Sequence, residues 1–361
     1  MALGLVNACA PVTRTGPAIQ ERGWRTYLGT DARAGMSRET LAADPQPVWR
    51  TDVGRGIAGG PALAEDVVAV GLVDRQVALL DRSTGDVLWR RRLGQHVGAG
   101  PLLTDDRLLV ATQDDGGRVY ALRLTDGRPL WTRPSGDVAA PLAVAGGVVY
   151  AGALDGTVSA LFVEDGERRW RVRVSGAVRT APVMTTAGLV VGTTTDSLFL
   201  LDHADGRVKA RRATRGTPLA ALAVAESLVL VGTMGGRLEG LDPATLAPRW
   251  TRQLDGGILG HVAVRDGRAW AVTTAGTLWI VPLDAPGAAR SLAAGLVTRA
   301  GPAPVEGGVL LVGVGGELVL LDDAGRRRWT TRLGATVVEP PLVTDRTVIV
   351  VSQRGEVIAF R

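Results

Sequence analysis

The chain has 361 residues, 46% hydrophobic and 21% charged, a globular composition too apolar for a disordered protein. A single cysteine excludes an intrachain disulfide framework and a Cys-rich metal site, and three scattered histidines (His96, His203, His261) exclude a conventional His cluster. The net charge of +5 comes from 41 basic against 36 acidic residues, too even a balance to argue for nucleic acid. The basic runs Arg90-Arg91-Arg92 and Arg326-Arg327-Arg328 read as solvated strand edges, where cations resist unwanted strand pairing.

Residues 1–10, MALGLVNACA, are apolar but too short to span a bilayer. Val6-Asn7-Ala8-Cys9 fits the end of a bacterial lipoprotein signal peptide: an aliphatic residue, then a small residue before a thiol that can take a diacylglyceryl group. The segment lacks a positive n-region, and the competing reading is a free thiol in a tail. The expectation is that residues 1–8 are a signal remnant and that Cys9 is the lipidation site. Two acyl chains there would anchor the protein firmly. Residues 9–46 carry Ala, Pro, Thr, Gly, Arg and Asp without a sustained period, and read as a flexible tether and lead-in.

From residue 47 a repeat takes over. Trp49, Trp89, Trp131, Trp170, Ala210, Trp250, Arg290 and Trp329 lie 40, 42, 39, 40, 40, 40 and 39 residues apart, the period of a propeller, solenoid or array. Each unit repeats one order. A Pro comes about twelve residues after the Trp slot, as at Pro61, Pro101 and Pro341. A β-branched run follows, such as Val67-Val68-Ala69-Val70-Gly71, then a turn pair such as Asp155-Gly156. A second run ends near an acid, as in Leu79-Leu80-Asp81, and a Gly turn leads back to Trp. Helical periodicity is absent, so each unit supplies four short strands joined by tight turns. The reading is all-β: an eight-bladed β-propeller over residues 47–361, built of four-stranded antiparallel blades. The last unit ends after its third strand, so Pro47-Val48-Trp49-Arg50-Thr51 is expected to complete the last blade and close the ring.

Leu79-Leu80-Asp81-Arg82-Ser83-Thr84-Gly85-Asp86-Val87-Leu88-Trp89 resembles the tryptophan-docking motif of quinoprotein-type (PQQ-like repeat) propellers, Ala-x-Asp-x-x-Thr-Gly-x-x-x-Trp. Residues 121–131 and 160–170 are looser copies, and 24–35 resemble the lead-in before such repeats. WD-repeat propellers share the period but carry Trp-Asp, whereas every slot Trp here precedes Arg or Thr. The resemblance implies that Trp49, Trp89, Trp131, Trp170, Trp250 and Trp329 dock between neighbouring blades. Ala210 and Arg290 cannot, and Trp270 and Trp279 are candidates to compensate near Arg290.

Quinoprotein dehydrogenases of this fold would imply pyrroloquinoline quinone, a Ca²⁺ ion and an Asp base. No loop gathers such carboxylates, and Asp81, Asp202, Asp242 and Asp322 recur at one repeat position, which reads as turn chemistry. The chain shows no Gly-x-Ser-x-Gly, His-Glu-x-x-His or P-loop. His261, on an innermost strand, reads as a satisfied or solvated side chain, the alternative being one that faces the channel. With minimal loops and an N-terminal anchor, the chain is similar to the BamB-type lipoproteins of the outer-membrane barrel assembly machinery. That resemblance implies a non-catalytic platform on the periplasmic face of the outer membrane. Cofactor and metal are expected to be none, and the partners proteins of the cell envelope, with the chain a monomer within a complex. A PQQ-dependent enzyme and a ligand-sensing propeller are the alternatives.

Overall fold

The computed structural model describes residues 41–361 apart from 43, 65, 220, 221, 226 and 345. Cys9, the signal remnant, most of the tether and the 24–35 lead-in lie outside the described residues. The described chain forms eight antiparallel sheets and a single 3-10 turn, Pro286–Ala288. Seven sheets have four strands, and blade 2 adds the two-residue strand His96–Val97 to its second strand.

Blade 1 shows the pattern. Its strands Ala62–Leu63, Val67–Leu72, Gln76–Asp81 and Val87–Arg92 pair in sequence order. The first strand lies nearest the axis, where the first strands of neighbouring blades meet. The fourth forms the outer edge. The second and third strands are almost wholly buried, whereas the fourth alternates between exposed and half-buried. That explains the continuous β-branched runs: these strands are covered on both faces and need no polar alternation.

The core is divided. Eight apolar clusters occur, one at each seam between neighbouring blades. The glycine ending the second-strand run has a steric purpose at these seams. A Cβ on Gly71 would lie 2.6 Å from Val97 of the next blade, and one on Gly152 2.4 Å from Val178. The missing side chain receives a neighbour's branched one, so the blades interlock.

The ring closes as expected. Leu342–Thr344, Thr347–Val351 and Glu356–Phe360 form three strands of blade 8, and Pro47–Asp52 supplies the fourth. Gln46 and Arg361 exchange backbone hydrogen bonds of 2.9 Å, and Arg50 pairs with Glu356 at 3.0 Å across the joint. This covers the third strand of blade 8, gives it an outermost strand like those of the other blades, and ties the chain ends together.

Candidate functional site

The tryptophan slots fix how the blades sit, and therefore the shape of both faces. Trp49 Nε1 donates to the Arg82 carbonyl at 2.9 Å, Trp89 to Leu124 at 2.8 Å, Trp131 to Val163 at 2.9 Å and Trp170 to His203 at 3.0 Å. Each acceptor lies in the turn before the fourth strand of the following blade, three residues ahead of a glycine. That glycine, Gly85, Gly127, Gly166 or Gly206, has φ between +68° and +78° and lies under the indole. The Gly of the repeated motif thus serves twice: it turns the chain and leaves a flat seat for the neighbour's ring.

The other four seams are each filled differently. Opposite Ala210 the seat residue is Leu246, fully buried at φ +59°. The large and small partners have exchanged blades, at the cost of a left-handed leucine. Opposite Gly325 the contact comes from Leu292, not Arg290, whose side chain is exposed. Trp270 is buried in the cluster of that same seam, whereas Trp279 donates to Asp255 at 2.9 Å under the Arg252 guanidinium. Opposite Trp250 the turn is recast as Pro286–Ala288, where a Cβ on Gly287 would meet nothing within 4 Å, and the buried Trp250 Nε1 has no partner among the described residues. Trp329 faces blade 8, whose third and fourth strands share no turn, and packs edge-on against Phe360 with ring centres 6.0 Å apart.

The axis carries a second constellation. Residues two or three positions ahead of the Pro slot line it: Gly59, Ala99, Ala139, Arg179, Leu219 and Glu339 border a cavity of about 220 Å³. Burial pushes the Glu339 carboxyl up to about 7, and Glu339 has no ion-pair or hydrogen-bond partner among the described residues. Arg179 is exposed and sits four blades away across the ring. His261 does not line the channel. It is 2% exposed, and its Nε2 donates to the Pro302 carbonyl at 2.9 Å. Burial drives its pKa down to about 4, so the ring is neutral and Nδ1 is left without a partner. Gly301 makes room for the ring, since a Cβ there would lie 2.2 Å from Nδ1.

The recurring acids cap turns. Asp81 Oδ1 accepts from the Ser83 hydroxyl and from the amides of Ser83 and Thr84, which lowers its pKa. In Asp242, whose carboxyl drops to about 2, the Arg249 guanidinium is the main cause, followed by the Ala244 amide. These are Asx-type turns, fully engaged in holding the backbone.

The two faces differ in exposed apolar surface. Eight large hydrophobic side chains are exposed among the described residues. Val48, Leu88, Leu130 and Val208 lie on outermost strands. Val73, Leu219, Met234 and Val297 all lie on the face that carries the turns between second and third strands. Backbone bonds Met234 N to Thr217 O and Val314 N to Val297 O tie the inter-blade connections to those turns. On this face a groove of about 600 Å³ opens between blades 6 and 7, floored by Leu296, Val297, Val314 and Val319 and walled by Glu317 and Arg327. It lies beside the shortest outermost strand, Arg290–Ala293. Sequence reasoning missed Met234 and Val297, and exposure on one face is the only signal that finds them.

These features define an eight-bladed propeller of quinoprotein type. Repeats of the family described as outer membrane protein assembly factor BamB match residues 38–140, 115–222, 210–285 and 273–361, and the chain belongs to that family. A relative of that description from Nitrosomonas eutropha is 31% identical over 144 residues, which span 38% of this chain and 35% of that protein. The chain thus aligns with about a third of that relative's length. Among solved structures, BamB from Moraxella catarrhalis is similar at 16% identity and TM-score 0.54, covering 88% of this chain and 97% of that one. A quinohemoprotein alcohol dehydrogenase from Comamonas testosteroni is similar at 14% identity and TM-score 0.78, covering 94% of this chain and 80% of that one. Both structural likenesses speak for the fold alone.

The dehydrogenase likeness raises pyrroloquinoline quinone with a divalent cation. The axial cavity offers one carboxylate, Glu339, with Arg179 across from it. Among the described residues no three His, Cys, Asp or Glu side chains gather in one place. A hard cation needs several oxygen donors, so this donor set does not fit the group.

Proposed function

We propose that this protein is a non-catalytic docking platform on the periplasmic side of the outer membrane, serving outer-membrane protein assembly through protein–protein contacts. The observation that carries the reading is the run of BamB-family repeats along nearly the whole propeller. The architecture suits the task. Eight interlocked seams make a rigid disc, and its connections are too short to form a lid. The face bearing Met234, Val297 and the blade 6–7 groove combines exposed apolar side chains with charged walls, the composition of a protein interface. Under this reading Cys9 carries the lipid that holds the disc at the membrane, and the protein acts as a monomer within a larger complex.

Affinity capture of the tagged chain from detergent-solubilised native membranes tests the role. The expected result is co-recovery of outer-membrane assembly proteins, and recovery of none removes the assembly role. The competing dehydrogenase reading shares no more than the fold with a quinohemoprotein alcohol dehydrogenase. Addition of pyrroloquinoline quinone and Ca²⁺ decides it. A stoichiometric chromophore with dye-linked alcohol oxidation would replace the platform by an enzyme.

A further inference from the structure

The charges of this chain are sorted by strand. Of its 41 Lys and Arg residues, 18 lie in the eight outermost strands, against one of its 36 Asp and Glu, Asp52. The near-neutral whole therefore hides a strongly cationic rim around a body with an acidic excess. The densest arc is formed by the adjacent edges of blades 3 and 4, Arg168–Arg173 and Val208–Ala213. Together they carry seven cations and no acid.

Guarding an open edge explains one or two cations per strand. It does not explain this arc, where five of the seven cations form no ion pair among the described residues. Arg212 pairs with the buried Glu239 at 3.0 Å, and Lys209 lies 3.7 Å from Asp202. Arg169 and Arg173 donate instead to the carbonyls of Ala204 and Asp155, and Arg211 lies over the Phe199 ring; among the described residues the one carboxylate these three and Arg171 act on is Asp155, which feels Arg173 and Arg171 without forming an ion pair. Arg168 and Arg171 are exposed and form no ion pair among the described residues. Val208, 45% exposed, stands among them.

We infer that the outer edges of blades 3 and 4 are a docking surface for an anionic lipid bilayer. Both cavities described above lie elsewhere, at the axis and at the blade 6–7 seam. The arc is an extended strand edge that offers charge density and an exposed aliphatic side chain. A bilayer asks for that combination and for no shape complementarity. Contact here stands the disc on its rim against the membrane and leaves both faces open to partners. The inference does not depend on the assembly role.

The test is co-sedimentation of the full chain carrying Cys9→Ser, so that no acyl group contributes, with vesicles of phosphatidylcholine alone or with about one third phosphatidylglycerol. Anionic vesicles are expected to bind at least about ten-fold more tightly, and the preference is expected to vanish in 0.5 M salt as screening shortens. Reversing Arg171, Arg173, Lys209 and Arg211 to Glu is expected to lower binding by roughly a hundred-fold or more, at about five-fold per charge. The melting temperature and circular dichroism are expected to stay unchanged. Should that variant fail to fold, the four Gln substitutions give the same comparison. Equal binding to both vesicles overturns the inference. So does undiminished binding by a folded variant, an equal loss on reversing Arg90, Arg92, Arg327 and Arg332, or binding of polyglutamate or heparin without vesicle binding.

Discussion

Replacing Trp131 by Ala removes an indole that is 7% exposed and hydrogen-bonded to the next blade. Truncation of a buried aromatic costs about 3–5 kcal/mol. With an unfolding entropy of about 2.1 cal/mol/K per residue, a propeller of this size loses roughly 6 °C in melting temperature. The seat permits a sharper test. A Cβ at Gly166 would lie 2.6 Å from the Trp131 ring, at φ +70°. Gly166→Leu alone should therefore be severely destabilising, through both overlap and backbone strain. In the Trp131→Ala background the overlap is gone, and the new leucine fills the vacated space as Leu246 does opposite Ala210. Only the left-handed strain then persists, about 1–3 kcal/mol. Thermal and urea denaturation of the two single variants and the double variant measure this coupling. Additive costs, or a melting temperature unmoved by Trp131→Ala, refute the idea that ring and seat form one unit.

Two further predictions concern pH and one concerns the docking face. His261 is held near pKa 4 in the fold and titrates near 6.5 when unfolded, so the unfolded chain gains a proton first on acidification. Stability should fall between pH 6.5 and 4 by up to about 3 kcal/mol, and His261→Gln should flatten that slope in urea titrations. Glu339 acts in the opposite sense: its folded pKa is pushed up to about 7 from 4.5, so it favours the fold below pH 4.5 and disfavours it as pH rises through 7. Glu339→Gln should therefore raise the melting temperature at pH 8 and leave it unchanged at pH 4. Met234→Asp with Val297→Asp should weaken partner capture at least about ten-fold without shifting the melting temperature, because both side chains are at least half exposed.

The architecture was legible because it is written redundantly. A residue repeated every forty positions, with Pro, β-branched run and Gly turn in phase, constrains eight units at once. The missing fourth strand of the last unit pointed to residues 47–51 as its completion, and the strand found there is Pro47–Asp52. The seams without tryptophan were less legible, because compensation there crosses blades. Leu246 matters only because it faces Ala210, and Leu292 only because it faces Gly325. The axial charges were less legible, since Arg179 lies three residues ahead of Pro182 and Glu339 two ahead of Pro341, so the repeat does not align them. The docking face had no readable signal. Its apolar residues fall in connections whose sequences look like ordinary turns, and only the assembled disc shows that Met234 and Val297 look the same way.

Site-specific photo-crosslinking in living cells, with the probe at Met234 or Val297 and a control at the exposed Ala324 of the opposite face, asks the decisive question. A platform predicts adducts with outer-membrane assembly proteins from the first two positions and none from the third. Adducts from Ala324 alone, or from no position while pyrroloquinoline quinone restores a dye-linked oxidation, would contradict it.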